Sequence, residues 1–285
     1  MLTPLPDNFL TPLVENAIRE DLGSVGDITT DALIPANAKS SVKLVTRQDG
    51  IVAGMGLARL SFRALDTNVV FTQLKKDGEA VKAGDCLAQI EGKARAILSA
   101  ERVALNFLCH LSGIATETHK LTEAVKPHKA RIFCTRKTTP GLRLIEKYAV
   151  RAGGGSNHRF GLYEAVLIKD NHIAMAGGIR AALEQVKKSI GDSVKIELEV
   201  DTLEQLDEAI ALLPTLPIDS VLLDNMTVPT LKQAILKVAG RFITEASGNI
   251  TLQNVADVAA TGVDVISVGW ITHSAPILDI GLDVK

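Results

Sequence analysis

After Lys129 the chain alternates short apolar runs, rich in β-branched residues, with stretches of helical spacing, and this alternation constrains its fold more than any other feature. The strand candidates are 131–135, 165–168, 194–200, 220–223, 242–245 and 263–268. The helical stretches between them are 141–151, 178–189, 203–213, 228–238 and 252–260. Strands of this kind joined by helices of about 10–15 residues imply βαβ units and a parallel sheet. Closing such a sheet gives a barrel; leaving it open gives a doubly wound sheet.

The first hundred residues follow a different rule. Residues 7–22 place Phe9, Leu10, Leu13, Ile18 and Leu22 at helical spacing and run into the turn Gly23-Ser24-Val25-Gly26-Asp27. Short strand candidates follow at 41–46, 69–74 and 88–91, separated by Asp49-Gly50, Asp77-Gly78 and Ala83-Gly84-Asp85. That pattern predicts a small α+β region with antiparallel strands. A helix over 98–124, with a candidate break at Ser112-Gly113, joins the regions. We divide the chain into an N-terminal domain with its linking helix (1–112), a catalytic barrel domain (113–270) and a C-terminal segment returning to the first domain (271–285).

In βα barrels the C-terminal ends of the strands face the mouth of the site. Here those ends read Arg136-Lys137, Lys169-Asp170-Asn171-His172, Asp224-Asn225, Glu245-Ala246-Ser247-Gly248-Asn249 and Ser267-Val268-Gly269. Glu197, Glu199 and Asp201 alternate along one strand and so share a face. Any single polar strand end also serves as a turn former or a helix cap. An unbroken succession of them is harder to assign to turns alone. The loop Arg151-Ala152-Gly153-Gly154-Gly155-Ser156-Asn157-His158-Arg159 brings three consecutive glycines, whose entropic cost asks for a reason such as close approach to a ligand. Arg136, Lys137, His158, Arg159 and Lys169 form a cationic cluster in a chain of net charge −2 and pI about 6.3. A cation about 4 Å from a carboxylate is worth roughly 4 kcal/mol at an effective dielectric near 20, so the cluster suits a dianion. The small, Gly-containing ends at 247–249 and 267–269 suit a phosphate.

That net charge argues against a nucleic-acid or anionic-membrane surface. No apolar stretch reaches the roughly 20 residues of a membrane span, and the start has no secretory pattern. Cys86, Cys109 and Cys134 match no zinc or disulfide spacing and read as reduced thiols of a cytoplasmic protein.

Three longer motifs carry a resemblance: Thr135-Arg136-Lys137-Thr138-Thr139-Pro140-Gly141-Leu142-Arg143, the glycines with His158-Arg159, and Leu167-Ile168-Lys169-Asp170-Asn171-His172. With Gly26-Asp27-Ile28-Thr29-Thr30, Glu101-Arg102-Val103-Ala104-Leu105-Asn106 and Glu245-Ala246-Ser247-Gly248, they resemble the quinolinate phosphoribosyltransferases of NAD biosynthesis over nearly the whole chain. The resemblance implies a sandwich-like N-terminal α/β domain, an incomplete α/β barrel of about six strands, and a homodimer, or a larger assembly, with shared active sites. It implies quinolinate and 5-phosphoribosyl-1-pyrophosphate as substrates and Mg²⁺ as cofactor. Arg136, His158, Arg159, Lys169 and Arg102 of the neighbouring subunit would take the carboxylates, with Thr135 beside them and Lys137 shared with the diphosphate. Glu199 and Asp224 would meet the ribose and Mg²⁺. Ser247, Gly248, Asn249, Ser267, Val268 and Gly269 would cradle the 5-phosphate. Lys137, Lys169, Glu199 and Asp224 are the expected catalytic residues. The alternatives are a transferase acting on a related pyridine such as nicotinate, and a non-catalytic binder of an anionic metabolite, which would have no use for the acids.

Overall fold

The structure, a computed structural model, describes residues 2–190 and 194–284. The chain divides into two compact units: residues 1–119, 144–154 and 274–285 form the first, and residues 120–143 and 155–273 the second.

The first unit opens with α1 (Asp7–Leu22), which buries Leu10 and Val14, and α2 (Ile28–Leu33). Asp27 caps α2 by accepting the Thr30 N–H at 2.9 Å and also accepts the Ser99 hydroxyl at 2.9 Å. Those bonds, the ones from Thr30 first, hold its carboxyl below the ordinary value. There follow β1 (Lys39–Thr46), β2 (Gly50–Ile51), α3 (Met55–Leu65), β3 (Val70–Gln73), β4 (Ala80–Val81), β5 (Cys86–Lys93) and α4 (Ala94–Val125). The sequence pattern assigned no helix between the strand candidates at 41–46 and 69–74; α3 forms there and buries Met55, Leu57, Ala58 and Phe62.

Strand β1 pairs antiparallel with β5 on one side and with β12 (Ile280–Val284) on the other, and β3 flanks β5. Leu44, Phe62, Leu87, Ile90, Ile97 and Leu108 fill the core between this sheet and the helices. Burial of side chains this size stabilises by roughly 1.5–3 kcal/mol each.

The expected break at Ser112-Gly113 is absent: α4 runs through it. The small residues there serve packing. The Ser112 hydroxyl accepts the Ala53 N–H at 3.0 Å, and the Thr116 hydroxyl accepts the Ile51 N–H at 2.9 Å, pairing backbone donors of the neighbouring segment. A Cβ on Gly113 would collide with the Pro276 carbonyl, so the helix is bare where the C-terminal segment crosses it. A similar reason replaces the expected ligand approach at the first of the three glycines. In α5 (Arg143–Ala152) and just beyond it, a Cβ on Gly153 would strike the Ala115 carbonyl, while Gly154 sits at φ 89°.

The second unit holds β6 (Arg131–Phe133), β7 (Val166–Ile168), α6 (Asp170–Ala176), α7 (Ile179–Ser189), β8 (Ile196–Val200) and α8 (Leu203–Leu212). It continues through β9 (Ser220–Asp224), α9 (Val228–Val238), β10 (Ile243–Ser247), α10 (Val255–Ala259), β11 (Val265–Ser267) and α11 (Trp270–His273). The strands form one parallel sheet in the order β6-β11-β10-β9-β8-β7, with β6 and β7 as its edges. It is a six-stranded α/β barrel left unclosed. Thr202 and Thr227 cap α8 and α9 through their side chains.

β6, β7, β8 and β11 are shorter than the sequence pattern predicted, β9 and β10 run one and two residues further at their C-terminal ends, and α10 begins at Val255 instead of Leu252. Asn254 explains the delay: its side chain accepts the Thr251 N–H at 2.8 Å and donates to the Asn249 carbonyl at 2.9 Å, which holds the segment in turns.

Candidate active site

Alternation along the parallel strands sends two sets of side chains to opposite faces. Leu198 and Val200 are fully buried on one face, and Glu197 and Glu199 are buried on the other. Beside those acids, β10 adds Glu245 and Ser247, β9 adds Leu222 and Asp224, and β11 adds Ser267. These residues, with Glu199 and Leu167 but without Glu197, line a cavity of about 350 Å³ at the strand ends. Thr135, Arg136, Lys137, His158, Arg159 and Lys169 complete its wall. Asp201, one residue past β8, is exposed and stands outside this lining.

Local structure explains how the cations converge. The segment after the glycines lies along the free edge of β6: the Ser156 N–H donates to the Ile132 carbonyl at 2.8 Å, and the Cys134 N–H to the Ser156 carbonyl at 3.1 Å. That pairing brings His158 and Arg159 beside Arg136. Arg143 pins the two loops together by donating to the Phe160 carbonyl at 2.9 Å, the Thr138 hydroxyl at 3.1 Å and the Arg136 carbonyl at 3.4 Å. Sequence reading gave Arg143 no role, since its guanidinium works inside the wall. The Nε atoms of Arg136 and Arg159 are buried without a hydrogen-bond partner. Burial, and then Arg136, lower the Arg159 guanidinium from its ordinary value, with Glu197 opposing. Two guanidiniums so placed call for an anion.

His158 is committed on both ring nitrogens. Nδ1 accepts the Arg159 N–H at 2.9 Å, which leaves the proton on Nε2, 2.9 Å from Glu197 and 3.7 Å from Glu245. Ser220 donates to Glu197 at 3.0 Å and Ser267 to Glu245 at 2.5 Å. Burial first, and then the Glu197 carboxylate, raise the Glu245 carboxyl above its ordinary value. The sequence placed Glu245 at a strand end without giving it a role. A buried acid one hydroxyl away from Ser267 becomes visible only through the pairing of β10 with β11.

At the other end, Lys169 lies 3.1 Å from Glu199. The His172 ring holds the start of α6 by accepting the Lys169 N–H at 3.0 Å. Burial raises the Glu199 carboxyl despite Lys169, and Asp224 and Asp170 add to that rise; Asp201 is raised by burial and by the same two acids. Glu199 and Asp224 both line the cavity, and two carboxylates side by side are the kind of hard oxygen donors that a divalent cation takes.

The turn at 247–249 carries Gly248 at φ 92° and Asn249 at φ 53°. Among the other expected cradle residues, the Val268 N–H is spent on the Phe133 carbonyl at 2.9 Å, so Val268 supports the wall from behind. Lys137 packs over Gly269, and the Thr272 hydroxyl holds the Lys137 carbonyl at 2.7 Å. Arg102 is not among the residues that line this cavity; it is exposed on α4, in the first unit.

Comparison with known proteins matches the chain in two consecutive parts, whose limits differ from those of the two compact units. Residues 27–112 match the N-terminal domain, and residues 114–283 the C-terminal domain, of quinolinate phosphoribosyl transferase. A Bacillus subtilis protein named probable nicotinate-nucleotide pyrophosphorylase (carboxylating) is 42% identical over 96% of this chain and 93% of its own length. An Arabidopsis thaliana nicotinate-nucleotide pyrophosphorylase, carboxylating and chloroplastic, is 41% identical over 98% of this chain and 84% of its own. The crystal structure of a nicotinate-nucleotide pyrophosphorylase from Ehrlichia chaffeensis superposes with a TM-score of 0.92 at 39% identity, covering 96% of this chain and 98% of that one. With fold and sequence both matching, the chain belongs to the quinolinate phosphoribosyl transferase family.

Proposed function

We propose that this cavity joins quinolinate to 5-phosphoribosyl-1-pyrophosphate and releases CO2, giving nicotinate mononucleotide and diphosphate. The observation that carries the reading is the meeting, in one cavity, of two arginines whose buried Nε atoms lack a partner with the carboxylates of Glu199 and Asp224 and with Ser247, the residue that leads into the glycine turn. Quinolinate is a pyridine with adjacent 2- and 3-carboxylates, and Arg136, Arg159 and Lys169 are its clamp. His158 borders the same end and holds Arg159 in place through its Nδ1 bond. Thr135 anchors the loop by accepting the Lys137 N–H at 3.0 Å. Lys137 faces the diphosphate, and the 5-phosphate occupies the turn of Ser247, Gly248 and Asn249, backed by Ser267, Val268 and Gly269. Glu199 and Asp224 take the ribose hydroxyls.

Glu199 and Asp224 would also hold Mg²⁺, whose chemistry is to offset charge on a leaving diphosphate. The pyridine nitrogen attacks C1 of the ribose as the C1–O bond breaks, and its electron pair leaves with the diphosphate. Lys137 meets the charge growing there, and the acids favour the positive sugar. The C2–carboxylate bond then breaks, leaving its electron pair at C2 beside the pyridinium nitrogen, and C2 takes up a proton. Holding the 3-carboxylate firmly keeps the ring oriented for this loss.

The working form in this reading is a cytoplasmic homodimer in which the partner subunit's Arg102 completes each clamp. No helix among the described residues is long and apolar enough to cross a membrane. The test is to supply donor and Mg²⁺ with either quinolinate or nicotinate. Turnover of quinolinate with CO2 release is expected; turnover of nicotinate in its place overturns the reading.

A further inference from the structure

Asn225 lies one residue beyond Asp224, outside the cavity lining, yet it touches both halves of the donor end. Its backbone occupies the left-handed region at φ 52°, a conformation that asparagine tolerates better than most residues. In that conformation the Asn225 N–H donates to the Ser247 carbonyl at 2.9 Å. The side-chain Nδ2 donates to the Asp224 carboxylate at 2.6 Å. The side-chain Oδ1 accepts from Asn249 at 3.2 Å. Asn249 is held in turn by Asn254, which donates to its carbonyl at 2.9 Å. A Cβ on Gly248 would collide with Asn225 Oδ1, so the amide also sets how closely the turn approaches β9.

We propose that Asn225 is a positioning residue that fixes the distance and orientation of the Asp224 carboxylate relative to the 247–249 turn. A donor with a sugar at one end and a phosphate at the other needs those two groups in one register, and a single amide bonded to both supplies it. The inference rests on the phosphoribosyl-donor reading above. It assigns the residue a selective effect: the donor end depends on Asn225, and the clamp of Arg136 and Arg159 does not.

The experiment uses the full-length protein. Wild-type turnover of the donor with quinolinate is measured first, and its absence overturns the functional reading itself. Asn225→Gly then removes both amide bonds while easing the backbone, so strain at φ 52° cannot account for any loss. Its KM for the donor should rise by about tenfold or more, with quinolinate affinity by calorimetry within about twofold of wild type. If that variant does not fold, Asn225→Asp keeps the acceptor for Asn249 but sets a carboxylate against Asp224, and the same donor-selective rise is expected. Because the two amides act through each other, the Asn225→Gly/Asn249→Gly double variant should lose little more than the worse single variant. An unchanged donor KM, a parallel loss of quinolinate affinity, or effects that multiply in the double variant would overturn the inference.

Discussion

Arg136 and Arg159 keep buried Nε atoms without a hydrogen-bond partner, and the proposed function sets a substrate carboxylate against these two guanidiniums. A hydrogen bond to a charged group contributes about 1.5–3 kcal/mol, so Arg136→Ala should raise the KM for quinolinate roughly 10- to 100-fold while leaving the donor KM little changed. Steady-state kinetics with each substrate varied in turn measures this, and equal rises in both constants would count against the clamp. Glu245 gives a pH prediction. Its carboxyl is raised first by burial and then by Glu197, with His158 opposing. A carboxyl raised on folding binds more protons in the native than in the unfolded chain. Its contribution is therefore present at low pH and is lost as pH rises from the ordinary carboxylate range through the raised native value. Thermal midpoints between about pH 5 and pH 8 should fall more steeply for wild type than for Glu245→Gln; matching slopes would show that Glu245 is not the group responsible. The cationic residues and the acids of β8 were legible in the sequence because charge at consecutive strand ends is conspicuous. Arg143 and the His158–Glu197 pairing were not, since both depend on which loops and strands become neighbours.

Among the elements, α4 shows best what pattern reading misses. A Ser-Gly pair inside a helical stretch suggests a break, yet here it lets the helix pass under the C-terminal segment and pair the Ala53 N–H. Alanine is the better helix former by roughly 0.5–1 kcal/mol, so propensity alone predicts that Gly113→Ala stabilises. The collision with the Pro276 carbonyl predicts the opposite, a net loss of about 1–3 kcal/mol by overpacking. Chemical denaturation decides between the two, and a raised midpoint would refute the packing argument. The second-unit strands were legible as apolar runs flanked by helices of fitting length. Their exact ends were not, because hydrogen-bonded turns such as the one held by Asn254 overrule the helical pattern that follows.

At the scale of the whole molecule, six parallel strands leave a barrel open between β6 and β7, and the cavity sits at the C-terminal ends where loops from every strand converge. Arg102 belongs to the first unit and is not among the residues that line the cavity, and the proposed reading takes it from the partner subunit. If each site is shared, Arg102→Ala and Lys169→Ala proteins, each nearly inactive, will regain activity when mixed, because one of the mixed sites carries both native residues. A mixture no more active than its components would refute the sharing. The central claim, a transferase that decarboxylates its own product, is tested most directly with quinolinate labelled separately at each carboxylate. The account predicts that label in the 2-carboxylate leaves as CO2 in a one-to-one ratio with diphosphate, only when the phosphoribosyl donor is present. Label in the 3-carboxylate should be retained in the nucleotide. Diphosphate release without labelled CO2, or CO2 release without the donor, would contradict it.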